Sequence, residues 1–170
     1  LNAWPIDFDL TIVDGGSKDL TVSIAQIQGI NVIKSLKQSR GYQLKTGASR
    51  AQGDWFLFLH ADSRLGPGWV KSLLRIISSN KSKNTVWYFD FKINNNNIAF
   101  RILEVAVALR SQFLQKPYGD QGLLIHKNLY YNSGGFSELK IMEDLDLITR
   151  ITKIAKARRI GVSLYTDDIK

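Results

Sequence analysis

The chain contains no cysteine, which excludes a disulfide framework and any thiolate metal site and makes a reducing compartment, the cytoplasm, its natural setting. Proline is scarce, with three in 170 residues, and no Pro-rich or Gly/Ser-rich stretch marks a linker, so residues 1–170 are read as a single domain. Long apolar runs are missing too: Trp55–Leu59 and Val105–Leu109 fall far short of the roughly 20 residues a membrane span needs. Leu1–Asp9 lacks the charged and apolar regions of a signal peptide, so nothing there predicts export. Arginine-rich tracts and zinc-finger spacings are absent, which argues against nucleic acid as a partner. Lys and Arg nevertheless outnumber Asp and Glu by 23 to 15, for a net charge of +8. That surplus suits nucleotide phosphates, or a peripheral contact with the anionic inner face of a membrane.

What is present is an alternation of apolar runs and helical stretches. Leu10–Val13 and Trp55–Leu59 are continuous apolar runs followed by polar residues, the pattern of strands buried on both faces of a parallel sheet. Between them, Asp19 caps a helix running to about Gln28, Ile30–Ile33 reads as a strand, and Ser39–Gln52 reads as a helix stopped by Gly53. The resulting β-α-β-α-β series predicts an α/β sandwich. Farther on, Trp87, Phe89, Phe91 and Ile93 alternate with Tyr88, Asp90 and Lys92, which predicts a half-exposed strand and makes the sheet mixed. Asn94–Asn97 makes a polar turn. Ile98, Ile102, Val105, Leu109 and Phe113 recur at helical spacing along a long amphipathic helix, with Arg101 and Glu104 expected on its wet side and Pro117 just beyond its end.

Ligands of open α/β sheets bind beyond the carboxyl ends of the strands, so the acids there are the candidates. Asp14 follows the first apolar run and opens Asp14-Gly15-Gly16-Ser17-Lys18-Asp19. Its carboxylate could accept from a nucleobase or ribose brought close by the glycines, or it could hold a tight turn. His60-Ala61-Asp62 follows Trp55–Leu59. There an imidazole and a carboxylate could share a magnesium or manganese ion with two phosphates; alternatively His60 bonds the backbone and Asp62 caps the helix that begins near Pro67. Glu143-Asp144-Leu145-Asp146 opens a helix whose Leu145, Ile148, Ile151 and Ala155 are expected to face the core. Three acids in four residues exceed what the helix dipole requires, and Asp144 is the candidate general base, approached through Gly134-Gly135. Pro117-Tyr118-Gly119-Asp120-Gln121-Gly122 reads either as an Asp-containing turn or as a binder of acceptor hydroxyls.

Taken in order, these residues resemble glycosyltransferase family 2, and specifically its short bacterial branch labelled radical-SAM/selenodomain-associated transferases. Thr11–Thr21 resembles the nucleotide-binding segment, and Ser39-Arg40-Gly41-Tyr42-Gln43 followed by Gly47, Ala51, Gly53 and Asp54 resembles the next motif. Phe58–Leu65 stands where the family has its metal-binding Asp-x-Asp, Pro117–Gly122 resembles a segment particular to the branch, and Gly134-Gly135-Phe136 and Glu143–Leu147 complete the pattern from about Asp9 to Arg150.

The resemblance implies a GT-A fold: a three-layer α/β sandwich with a mainly parallel mixed sheet, whose first strand and helix would precede Leu1. It implies a UDP- or GDP-linked sugar donor held by Asp14, Gly15, Gly16, Ser17, Arg40, Gln43, Ala61 and Asp62. It further implies Mg2+ or Mn2+ at Asp62 with His60, an acceptor at Tyr118, Gly119, Asp120 and Gln121, and inverting transfer with Asp144 as base beside Glu143. The chain departs from the family at Gly15, where a second acid is frequent, and at His60, which replaces the first acid of the metal motif. Two other readings fit the same residues: a nucleotidyltransferase of similar fold, which would attack phosphorus, and a catalytically inactive protein binding nucleotides or an anionic surface.

Overall fold

The computed structural model describes residues 7–95 and 97–166, and it contains the expected series: β1 (Thr11–Asp14), α1 (Thr21–Ile27), β2 (Asn31–Lys34), α2 (Arg40–Arg50) and β3 (Trp55–Phe58). The N-cap position of α1 falls at Leu20 rather than at the expected Asp19, whose Oδ1 nevertheless accepts from Thr21 N, the first helical amide, at 3.0 Å. The remaining elements are β4 (Arg64–Leu65), α3 (Trp69–Ile77), β5 (Thr85–Ile93), α4 (Ile98–Phe113), β6 (Leu123–His126), α5 (Lys127–Asn132), α6 (Glu143–Ile151) and β7 (Lys156–Thr166).

Strands β1 and β2 pair in parallel, and a separate five-stranded sheet runs β3-β6-β5-β7-β4. Within it β5 and β7 are parallel, while β3–β6, β5–β6 and β4–β7 are antiparallel. The sheet is mixed, as expected, with a larger antiparallel share than the apolar runs suggested. The cause is that β6 inserts between β3 and β5, and its residues Leu123–His126 are buried throughout.

Two layers of side chains cover this sheet. On one face Val86, Tyr88, Leu123 and Ile125 pack against Leu147, Ile148 and Ile151 of α6; on the other Phe89, Leu124 and Leu164 pack against Leu73 and Ile76 of α3. Each fully buried Leu or Ile in such a layer contributes about 1.5–3 kcal/mol. Strand β5 therefore differs from expectation. Its first half is covered on both faces, Tyr88 as well as Phe89, and partial exposure is confined to Trp87 and Asp90–Lys92. In α6, Leu147 takes the buried place expected for Leu145, which is only half-buried.

Helix α4 is turned opposite to its expected orientation. Glu104 is buried, and Ile98, Ile102, Val105, Leu109 and Phe113 are exposed. The reason is polar. Glu104 accepts from Ile93 N at 2.8 Å, Lys92 Nζ at 2.8 Å and Arg101 Nη1 at 2.9 Å, closing the end of β5 beneath the helix. A carboxylate so satisfied is stable inside, and its burial fixes the helix rotation.

Candidate active site

The sequence candidates fall into two clusters joined by the first turn of α2. The first cluster is the loop after β1. Asp14 Oδ2 accepts from Gly16 N at 2.9 Å, and both carboxylate oxygens accept from Ser17 N at 3.1 Å. The Ser17 hydroxyl also donates to Asp14 and is the main reason its carboxyl sits below the usual value. Gly16 has φ +101°, a conformation that favours glycine. Gln43 Nε2 donates to Val13 O at 3.0 Å, and a Cβ on Gly15 would fall 2.7 Å from that same nitrogen. Asp14, Gly15, Gly16, Ser17 and Gln43 thus form one unit.

The second cluster gathers around Gly119. A Cβ there would lie 2.9 Å from Asp144 Oδ2 and 3.0 Å from both Arg40 Nη2 and His60 Nε2. Three polar side chains from α6, α2 and the end of β3 therefore meet at a residue with no side chain of its own. The Gly119 amide donates to Asp144 Oδ2, and Asp144 Oδ1 accepts from Leu145 N at 2.8 Å. Arg40 donates to His60 Nε2 and lies 2.7 Å from Glu143 Oε1 through its Nε, as an ion pair rather than a directed hydrogen bond. Arg40, His60, Gly119 and Asp144 line a small cleft together with Phe58 and Phe136.

Packing explains how Arg40 is held. Gly41 N donates to Leu139 O at 3.3 Å and Ser39 Oγ to the same oxygen at 2.9 Å, while a Cβ on Gly41 would clash with Ser137 O at 2.2 Å. Only glycine lets α2 approach this loop so closely. From that anchor Arg40 reaches the second cluster, and Gln43, almost one turn later, reaches the first.

The three acids of α6 have three different partners. Glu143 is buried against Arg40, Asp144 faces Gly119, and Asp146 accepts from Ser137 Oγ at 2.7 Å and pairs with Arg150 at 2.7 Å. Arg150 and Ser137 lower the Asp146 carboxyl. Arg150 also donates to the carbonyls of Ser133 and Gly135, fixing Gly134-Gly135 at φ +85° and +63°.

Burial, reinforced by Arg40, holds the His60 imidazole below its usual value, so it is neutral at pH 7. As the acceptor for Arg40, Nε2 is assigned the lone pair. Ala61 and Asp62 lie exposed beyond His60; Asp62 has no hydrogen-bond or ion-pair partner among the described residues, although its charge is felt at His60. In the segment after α4, Tyr118 carries the Arg110 guanidinium stacked 3.5 Å from its ring centroid. Asp120 Oδ1 is buried without a hydrogen-bond partner among the described residues; burial raises this carboxyl, opposed by the charge of Arg110. Gln121 differs from its neighbours. It is buried, its Oε1 accepts from Ser111 Oγ at 2.7 Å and Tyr118 N at 3.3 Å, and its Nε2 donates to Phe89 O at 3.3 Å. Its amide braces the loop from behind. Arg110 was not among the sequence candidates; its signal is a cation in the last turn of a helix leading straight into the loop.

The α/β architecture with its mixed sheet matches the fold of solved GT-A glycosyltransferase structures. The sequence profile of glycosyl transferase family 2 matches residues 1–139, and the chain belongs to that family. No curated protein sequence matches the chain significantly.

Among solved structures, S. aureus TarS 1–349 in complex with UDP-GlcNAc superposes with a TM-score of 0.70 at 18% identity, over 96% of this chain and 50% of that one. Glucosyl-3-phosphoglycerate synthase from Mycobacterium tuberculosis, in complex with Mn2+, UDP and glucosyl-3-phosphoglycerate, gives 0.66 at 16% identity, over 95% and 62%. The mannosyltransferase PcManGT from Pyrobaculum calidifontis, in complex with GDP-Man and Mn2+, gives 0.64 at 14% identity, over 91% and 47%. The chain thus spans about half to three-fifths of the length of these relatives.

Among the described residues no three His, Asp or Glu side chains converge as a metal cluster. The donor chemistry still fits a magnesium-type site, which takes one or two protein carboxylates and completes its shell with phosphate and water oxygens. Asp62 offers a free carboxylate, and neutral His60 keeps a lone pair, at present shared with Arg40.

Proposed function

We propose that the chain is the transferring core of an inverting glycosyltransferase of hexosyl type that takes a UDP- or GDP-linked sugar and passes it to an acceptor hydroxyl. The observation that carries this is the convergence of Asp144, Arg40 and His60 on Gly119. A carboxylate oriented by two amides stands there beside a guanidinium, in a cleft one helical turn from the loop after β1. In this reading Asp14, Gly15, Gly16, Ser17 and Gln43 line the nucleotide side. Ala61 and Asp62 lie along the diphosphate, and Tyr118, Gly119 and Asp120 border the acceptor. Gln121 shapes that border from beneath.

A divalent ion, Mg2+ or Mn2+, held by Asp62 with His60 beside it, would neutralise charge on the leaving diphosphate. Asp144 takes the proton of the acceptor hydroxyl, whose oxygen then bonds to the anomeric carbon on the face opposite the diphosphate. The bond from that carbon to the diphosphate oxygen breaks, and the nucleoside diphosphate leaves with the bonding pair. Two amide donors aim the Asp144 carboxylate, and the direct displacement requires no covalent intermediate. Arg40 contributes positive charge at the same point.

The run Pro117–Gly122 supports membership of the short bacterial branch associated with radical-SAM and selenodomain proteins. The absence of cysteine supports a cytoplasmic setting. Incubation with UDP- and GDP-sugars and Mn2+ tests the proposal. Release of nucleoside diphosphate is the expected result. Release of pyrophosphate from a sugar phosphate and a nucleoside triphosphate would instead assign nucleotidyl transfer, and no turnover of either kind would leave only binding.

A further inference from the structure

The exposed face of α4 is apolar along its whole length. Ile98, Ile102, Val105, Leu109 and Phe113 are exposed by 76%, 66%, 58%, 50% and 72%, and Leu114 by 64%. Every position of Ile98–Leu114 classed as exposed is uncharged. A continuous apolar stripe of this kind marks an interaction surface. The sixteen-residue helix is about 24 Å long.

Cations border the stripe. Lys92 and Arg101 are partly exposed where they hold Glu104, with one positive charge left over between the three; Arg110 is partly exposed with its guanidinium stacked on Tyr118, and Lys116 is exposed just past the helix end. The acids nearby are already paired: Glu104 is buried between Lys92 and Arg101, and Asp90 receives two hydrogen bonds from Arg159 at 2.7 and 2.8 Å. An apolar face with a cationic border on a chain of net charge +8 complements a surface that is apolar beneath and anionic above. That describes a bilayer rich in acidic lipids. A second copy fits less well, because one helix face offers a few hundred square ångströms where a stable dimer buries about 800 Å² per partner. No helix among the described residues is long and apolar enough to cross a membrane, so the helix would lie in the surface.

We infer that α4 is an interfacial helix that docks the protein on an anionic lipid bilayer, its Ile98–Phe113 stripe inserted among the acyl chains, while Lys116 and the net positive charge of the cluster of Lys92, Glu104 and Arg101 face the headgroups. The docking is separate from the transfer reaction: Asp144→Asn, which targets the chemistry, should bind lipid like the wild type.

Flotation of the whole protein with vesicles of phosphatidylglycerol and phosphatidylcholine tests the inference. The protein should float with these vesicles and bind pure phosphatidylcholine more weakly. The double variant Ile102→Ser/Leu109→Ser should lose about tenfold or more in vesicle affinity, two inserted apolar side chains being removed. Both positions are exposed, so its melting temperature should match the wild type. The control Ile24→Ser/Ile27→Ser, on exposed positions of α1, should bind vesicles unchanged. Failure of the wild type to float, or equal binding by the α4 variant, would overturn the inference. So would a solution dimer that the α4 variant dissociates, which would assign the face to a second copy.

Discussion

The backbone amide of Gly119 donates to the carboxylate of Asp144, across 25 residues of sequence. This contact ties the segment proposed to border the acceptor to the proposed base, and it gives the glycine a physical reason. With a Cβ only 2.9–3.0 Å from Asp144, Arg40 and His60, any larger residue must displace at least one of them.

Gly119→Ala should therefore impair the chemistry much more than the fold. The atoms that must yield are the ends of flexible side chains, so we expect a melting temperature within a few degrees of wild type. Turnover should fall by about 100-fold, the scale of a misplaced catalytic group. Steady-state kinetics beside a thermal melt checks this, and wild-type turnover would show that the cluster is not the reacting centre.

Asp144→Asn preserves size and removes the base. Turnover should drop by about 10²–10⁴-fold while the donor binds as before, as read by calorimetry with a nucleoside diphosphate. Loss of binding together with turnover would make Asp144 a binding residue instead.

Asp120 supplies a pH signature. Burial raises its carboxyl in the folded chain, so the folded state holds that proton more tightly than the unfolded one. The stability linked to this group is present below the unfolded value and declines as pH rises through the folded one. Asp120→Asn removes that decline. Its melting temperature should exceed wild type most at pH 8, with the gain shrinking as pH falls toward about 4. A gain independent of pH would contradict the assignment.

Glu104 fixes the rotation of α4 by accepting from Lys92, Arg101 and the Ile93 amide. Glu104→Ala leaves two cations and an amide beneath the helix without their acceptor. We expect a loss of about 3 kcal/mol, or roughly 6–12 °C in melting temperature for a domain of this size. Thermal unfolding followed by circular dichroism checks it.

The same residue shows where sequence reasoning stops. Apolar runs at strand length revealed β1, β2 and β3, but not their surroundings: β1 and β2 are only partly buried, and β3 is an edge strand paired antiparallel with β6 rather than a strand covered on both faces of a parallel sheet. Helical periodicity revealed α4 but not its direction. An apolar stripe at helical spacing looks the same whether it meets a core or the outside, and here a paired carboxylate three residues from Arg101 decided the matter. Strand β7 was not legible, since Arg158 and Arg159 interrupt its apolar pattern and Arg159 is paired with Asp90, 69 positions earlier.

Candidate residues were legible as a set, while their division of labour was not. Asp144 and Asp146 are two positions apart, yet one faces Gly119 and the other belongs to Arg150. Gln121 looks like a sugar binder by composition, and its amide is fully engaged inside the fold. Such distinctions follow from partners far away in sequence.

The most direct test of the account concerns Asp62, the exposed carboxylate beyond β3. Thermal-shift measurements with UDP and with GDP, each with and without Mn2+, should be made on the wild type and Asp62→Ala. The account predicts stabilisation of the wild type only when nucleotide and metal are present together, by about 2.7 kcal/mol at ligand a hundredfold above its dissociation constant, and none in the variant. Equal stabilisation of both proteins would contradict it.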